Sequence, residues 1–141
     1  MRFAVLVACA VFSPLLAACA SAPERSVGSH RATLQVQQVW APGSVYIEGS
    51  YSYIRVERDG DEVVQVRLTN APSPRSTLRL EPGSYRLVSF QRPCDGNCGT
   101  LDPPTDECAR SLEAFEGAIL EAVVRIAPGR GCTIETRVVG A

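Results

Sequence analysis

A chain of 141 residues, 45% hydrophobic and 21% charged, carries enough apolar material for one domain of ordinary size and is too short for several. Its 14 basic and 15 acidic side chains leave a net charge of −1, which gives no electrostatic basis for binding nucleic acid. Every basic residue is arginine, a bias that GC-rich coding explains without any functional demand for guanidinium groups.

The first feature in chain order is a leader. Arg2 supplies a positive charge, and Phe3 to Leu16 an apolar run interrupted by Ser13 and Pro14. The run is shorter than the roughly 20 residues a membrane-spanning helix needs. It closes on Leu16-Ala17-Ala18-Cys19, an aliphatic residue, two small residues and a cysteine, which resembles the lipobox of bacterial lipoproteins. The resemblance implies cleavage after Ala18, acylation of Cys19 and attachment of the new terminus to membrane lipid, with palmitate-type chains on one cysteine holding it firmly. An ordinary secretory peptide cut near Ala18 or Ala20 is the alternative.

Residues 1–18 are thus read as a lipoprotein signal peptide, 19–30 as a lipidated tether and 31–141 as the domain. Losing Arg2 with the leader leaves 13 arginines against 15 acids, a mature net charge of −2. The tether is small and polar, with Pro23 and Gly28, and lacks apolar periodicity.

From Arg31 onward β-branched and aromatic residues alternate with polar ones and are cut by Pro-Gly and Asp-Gly turns, the pattern of an all-β antiparallel sandwich of about seven strands, prealbumin-like or Ig-like. Leu34 and Val36 alternate with Gln35 and Gln37 in a first strand that runs to about Trp40, followed by a turn at Ala41-Pro42-Gly43-Ser44. Val45, Ile47, Gly49, Tyr51 and Tyr53 then share one face. The apolar phase slips at Ile54 and Val56, which predicts a bulge or a crossing between sheets near Tyr53. A three-residue loop Asp59-Gly60-Asp61 sets Val56 opposite Val64, Ile54 opposite Val66 and Arg55 opposite Gln65. It is preferred over a two-residue turn, which would set Ile54 against Gln65.

Thr69 to Ser76 reads as a loop, Leu78 and Leu80 as a short strand, and Glu81-Pro82-Gly83-Ser84 as a turn. Tyr85 to Gln91 is apolar on both faces, through Tyr85 and Leu87 on one and Val88 and Phe90 on the other, and so is read as a central strand. Residues 105–117 allow two readings. A helix is suggested by Ala109, Leu112 and Phe115 after a cap at Thr105 or Asp106, and a short strand by Leu112 and Ala114. Leu120, Ala122, Val124 and Ile126, and then Cys132, Ile134, Thr136 and Val138, mark the last two strands.

The arrangement Leu80-Glu81-Pro82-Gly83-Ser84-Tyr85-Arg86-Leu87, a long loop, a short segment ending in Glu116-Gly117 and an apolar strand resembles small prealbumin-like sandwich modules over roughly residues 76 to 126. These modules include the B-type repeats of Gram-positive adhesins and the transthyretin-like domains of carboxypeptidases. The adhesin repeats use a lysine for an internal isopeptide bond, and this chain has no lysine. The run from Arg92 to Gly99, continuing into Leu101-Asp102-Pro103-Pro104 and Cys108, is similar to one found in small uncharacterised lipoproteins of GC-rich bacteria. That likeness implies a compartment and a fold, and no activity.

Cys9 leaves with the leader and Cys19 is consumed by lipid, so Cys94, Cys98, Cys108 and Cys132 remain. Outside the cytoplasm four thiols read as two disulfides rather than as a zinc site. The favoured pairing is Cys98 with Cys108, clasping the Pro-rich loop, and Cys94 with Cys132, tying two strands, although spacing leaves all three pairings open.

The loop at 94–108 is the best candidate site, a segment whose cross-links lower the entropy cost of meeting a partner. It holds Asp95, Asn97, Asp102, Asp106 and Glu107, and Arg92 with the acids among these offers a contact surface. Asp95, Asn97 and Asp102 also admit a calcium reading, without the regular oxygen positions of an EF-hand loop; no metal or cofactor is assigned. Trp40, Tyr46, Tyr51 and Tyr53 are either core or an aromatic patch for sugar or peptide.

Catalytic roles find no support. His30, the one histidine, sits beside the tether, where nothing holds a base in place, and Glu113, Glu116 and Glu121 read as a solvated face or a turn. The reading is therefore a lipid-anchored cell-envelope protein outside the cytoplasm, with a structural or binding role. Its partners are membrane lipid through Cys19 and an envelope protein or glycan. The alternatives are a ligand- or calcium-binding module, or an enzyme accessory or inhibitor that presents the 94–108 loop.

Overall fold

The structure, a computed structural model, describes residues 30–42, 49–68, 73–94, 98, 100–127 and 130–140. Eight strands fill it: β1 (Ala32–Trp40), β2 (Tyr51–Arg58), β3 (Asp61–Arg67), β4 (Arg75–Leu80), β5 (Gly83–Arg92), β6 (Thr105–Ala114), β7 (Ile119–Ala127) and β8 (Gly131–Gly140). They form two four-stranded sheets, ordered β4-β1-β7-β8 and β3-β2-β5-β6. All pairings are antiparallel except β1 with β7, which is parallel. An Ig arrangement would set the first strand beside the second. Here the first lies between the fourth and seventh, which departs from the Ig order.

Alternation builds the core. Ala32, Leu34 and Val36 of β1, Ile54 and Val56 of β2, Leu78 and Leu80 of β4, Tyr85 and Leu87 of β5, Leu112 and Ala114 of β6, and Leu120, Ala122, Val124 and Ile126 of β7 turn inward and form one cluster, with Trp40 packed against it. At about 25 cal/mol per Å² of apolar surface, each fully buried Leu or Ile contributes roughly 1.5–3 kcal/mol. Strand β5 is central, as its two apolar faces require: Leu87 points to the core, while Val88 and Phe90, also buried, lie on the other face.

Several sequence expectations need correction. Residues 105–114 are strand, not helix; Ala109 and Phe115, which the helical spacing would bury with Leu112, are exposed, while Leu112 and Ala114 alternate into the core. The phase slip at Tyr53 is absent: Tyr51, Tyr53, Arg55 and Glu57 keep one phase against Arg92, Phe90, Val88 and Arg86, because the tyrosines belong to the outer face. Val45, Ile47 and half of the 41–44 turn, Gly43 and Ser44, lie outside the described residues.

The β2–β3 hairpin combines features of the three-residue loop and of the two-residue turn. Val56 faces Val64, Ile54 faces Val66 and Arg55 faces Gln65, as the three-residue loop requires. Yet Arg58 pairs with Asp61 across a two-residue Asp59-Gly60 turn, with φ of 55° and 92° at its two positions, as a type I′ turn demands. Glu57 faces Glu62, so Val63 is an extra residue on β3, and this bulge restores the apolar register.

Both expected disulfide pairings are overturned. Cys94 bonds Cys98, and Cys108 bonds Cys132. Cys108 is no part of a loop; it lies within β6, the edge of one sheet, and Cys132 lies in β8, the edge of the other. That bond therefore staples the two sheets along one open side of the sandwich, and the Pro-rich loop stays unclasped by Cys98 and Cys108.

Candidate functional site

The registers give the sandwich two distinct ends. At one, β1 and β7 begin and β4 and β8 finish, with Ala32 opposite Leu80, Thr33 opposite Ile119 and Ile119 opposite Gly140. The chain enters the domain here, and Gly117 N donates to His30 O at 2.9 Å. At the other end lie Trp40, the start of β2, the turn between Ala127 and Gly131, and the segment linking β5 to β6. The 94–108 region thus sits at the end away from the chain's entry.

The β5–β6 connection is tied to the sheet by its own arginine. Arg92 Nε donates to Asp102 O at 2.9 Å and Nη2 to Leu101 O at 2.8 Å, while Asp102 N donates to Pro93 O at 3.0 Å. A guanidinium on two carbonyls makes charge-assisted bonds that fix the backbone as well as the side chain. On the other strand, Asp106 Oδ1 accepts from Gly131 N at 3.2 Å. Gly49 closes the same end: its φ of +84° and the 3.0 Å between a Cβ built there and Cys94 O leave no room for a side chain.

From this loop an arginine and aromatic surface runs down the outer face of β2 and β5. Tyr53 and Phe90, opposite each other in register, stack with centroids 5.3 Å apart and planes 10° from parallel. The Arg55 guanidinium lies 5.3 Å from the Phe90 centroid, and that of Arg67 4.9 Å from the Tyr51 centroid. Arg55 also donates to Glu57, whose other oxygen accepts from Arg86, each at 2.8 Å. The Arg86 hydrogen bond, helped by the Arg55 charge, outweighs desolvation and holds the Glu57 carboxyl below the usual glutamate range. Such contacts pre-order the arginines, and Tyr and Arg are the residue types that most often anchor protein interfaces.

Beneath this end the interior turns polar. Gln38, Ser50, Ser52, Ser89 and Gln91 are buried, with Gln38 Nε2 donating to Ser52 Oγ and Ser50 Oγ to Gln91 Oε1, each at 3.0 Å. Gln38 Oε1, Ser89 Oγ and Gln91 Nε2 make no hydrogen bond to protein, and a buried group left so costs about 1–3 kcal/mol. Among the described residues the buried polar side chains gather at the loop end.

Of the residues named from sequence, Tyr51 and Tyr53 join Arg92 and Asp102 around this surface, whereas Trp40, partly buried, packs against the core. Asp95, Asn97 and Tyr46 lie outside the described residues. Asp102 is held through its main chain, and Glu107 is exposed on β6. The carboxylates do not converge: Glu113 accepts from Ser84, Glu121 pairs with Arg137, and Glu116 lies 3.5 Å from His30 at the entry end. Sequence reasoning missed Arg55, Arg67 and Phe90, although the period-two run Tyr51, Tyr53, Arg55 opposite Ser52, Ile54 and Val56 carried the signal.

Neither a protein-family model nor a curated protein matches the chain. Among solved structures it is similar to a candidate cell adhesion protein from Bacteroides ovatus, with a TM-score of 0.50 at 7% identity, over 78% of this chain and 45% of that one. A second candidate cell adhesion protein, from Bacteroides fragilis, aligns with a TM-score of 0.36 at 16% identity, over 79% and 46%. The chain thus spans less than half the length of either. At 7% identity the first likeness is one of fold alone.

Proposed function

We propose that this is a lipid-anchored binding module of the bacterial cell envelope, held to the membrane through acylated Cys19 and acting by contact rather than catalysis. The observation that carries the binding role is the pre-ordered surface of Tyr51, Tyr53, Arg67 and Arg92 beside the cross-linked loop, at the end away from the tether. A module anchored at one end meets its partner with the other. Two disulfides support a location where thiols oxidise, and the adhesion-related names of the structures with this fold are in keeping with an envelope protein or glycan as partner.

Two substitutions test the parts separately. Cys19→Ser should move the protein from the membrane to the soluble fraction on fractionation, and retention of the variant in the membrane would reject the anchor. Tyr51→Ala with Arg67→Ala should lower capture of peptidoglycan sacculi or detergent-extracted envelope proteins by tenfold or more, roughly the loss of one strong interface anchor, with the thermal midpoint checked for folding. Unchanged capture by the folded variant would reject this surface as the contact.

A further inference from the structure

All five large apolar residues that stand exposed among the described residues lie toward one end of the sandwich. Phe115 is 59% exposed in the turn before β7, Ile119 38% at the start of β7, Val138 56% and Val139 46% at the end of β8, and Val63 52% at the β3 bulge next to the Asp59-Gly60 turn. This is the end where the chain enters: Gly117 N holds His30 O, and Thr33 N bonds Ala118 O at 2.8 Å. Phe115 and Val138 also flank an open seam between β6 and β8, about 340 Å³ in volume, that reaches Leu34, Leu112 and Leu120. Scattered exposed apolar side chains are ordinary, but a set confined to one end of a monomer marks a contact surface.

We infer that this end of the sandwich lies against the phospholipid surface, with Phe115 and Val138 inserted at the headgroup boundary; the inference rests on the proposed acylation of Cys19. From Cys19 to His30 is eleven residues of chain. Fully extended, eleven residues span at most about 40 Å. A nine-residue strand is about 30 Å long, so the entry end is the one the anchor keeps near lipid, at high effective concentration. Two ion pairs at this end match charge with charge: Arg31 with Glu81, and Arg137 with Glu121. Contact therefore depends on apolar insertion rather than on anionic headgroups. It also turns the Tyr51 and Arg92 surface away from the membrane.

Emission from a tryptophan at position 115 tests this. The full lipidated chain carrying Phe115→Trp in a Trp40→Phe background is placed in phosphatidylethanolamine and phosphatidylglycerol vesicles with brominated acyl chains, beside a twin carrying Leu101→Trp instead. The inference expects a blue shift and loss of emission from position 115, and neither from position 101. Flotation with the vesicles without quenching at 115 overturns the inference and leaves the anchor intact. Failure to float overturns the anchor and the inference together. A blue shift at 115 that follows protein concentration but ignores bromine assigns the patch to a second copy of the chain, and equally overturns the inference.

Discussion

Glu57 bridges two arginines, Arg55 beside it on β2 and Arg86 across the sheet on β5. Because its pKa is held below the ordinary value of 4.5, it adds stability that is fully present above that pH and is lost as pH falls through the lowered value. Glu57→Gln should therefore lower the thermal midpoint at pH 7, and the gap from the parent should close as pH is brought down to about 3. A gap that stays constant across that titration would show the pair to be energetically silent, as many exposed ion pairs are. At this scale the sequence was partly readable. Alternation told which side chains share a face, but not which face is the core. Tyr51 and Tyr53 were weighed as core because aromatics usually bury, and they lie outside because Ser52, Ile54 and Val56 fill the inner face. Arg92 was read as part of the contact surface; that its guanidinium pins the loop backbone depends on carbonyls nine and ten residues away, which no local pattern encodes.

Among the elements, strands with strict alternation were legible, and so was the hairpin register, since only one register keeps both apolar sets together. The 105–114 strand was ambiguous because Leu112 and Ala114 fit period two while Ala109, Leu112 and Phe115 fit a helix turn. Tertiary pairing with β5 decides it. The disulfides were unreadable for a related reason: spacing does not reveal that β6 and β8 are facing edges of different sheets. That position also ranks the two bonds. Cys108–Cys132 closes a separation of 24 residues and Cys94–Cys98 one of 4, so loop entropy gives about 3.5 and about 2 kcal/mol. Replacing both Cys108 and Cys132 by serine should cost more in urea unfolding than the same change at Cys94 and Cys98. The reverse order would mean that the staple between the sheets is strained or redundant.

For the whole molecule, the fold class followed from composition and turn spacing, while the strand order did not. β1 is an interior strand of its sheet, and its parallel partner β7 lies 86 residues further along the chain, as with Thr33 and Ile119. A chain ending at Ala118 would leave β1 with β4 alone and lose the Leu120, Ala122, Val124 and Ile126 side of the core. It should show no cooperative thermal transition; a sharp one would mean that the sheet of β3, β2, β5 and β6 is stable by itself.

The parallel pairing of the first strand with the seventh has a bearing on biogenesis. A chain that emerges amino end first cannot close this sandwich until residues 119–127 have followed, because one edge of the opening strand waits for β7. Until then β1 has only β4 beside it, and its other edge stays open to wrong partners.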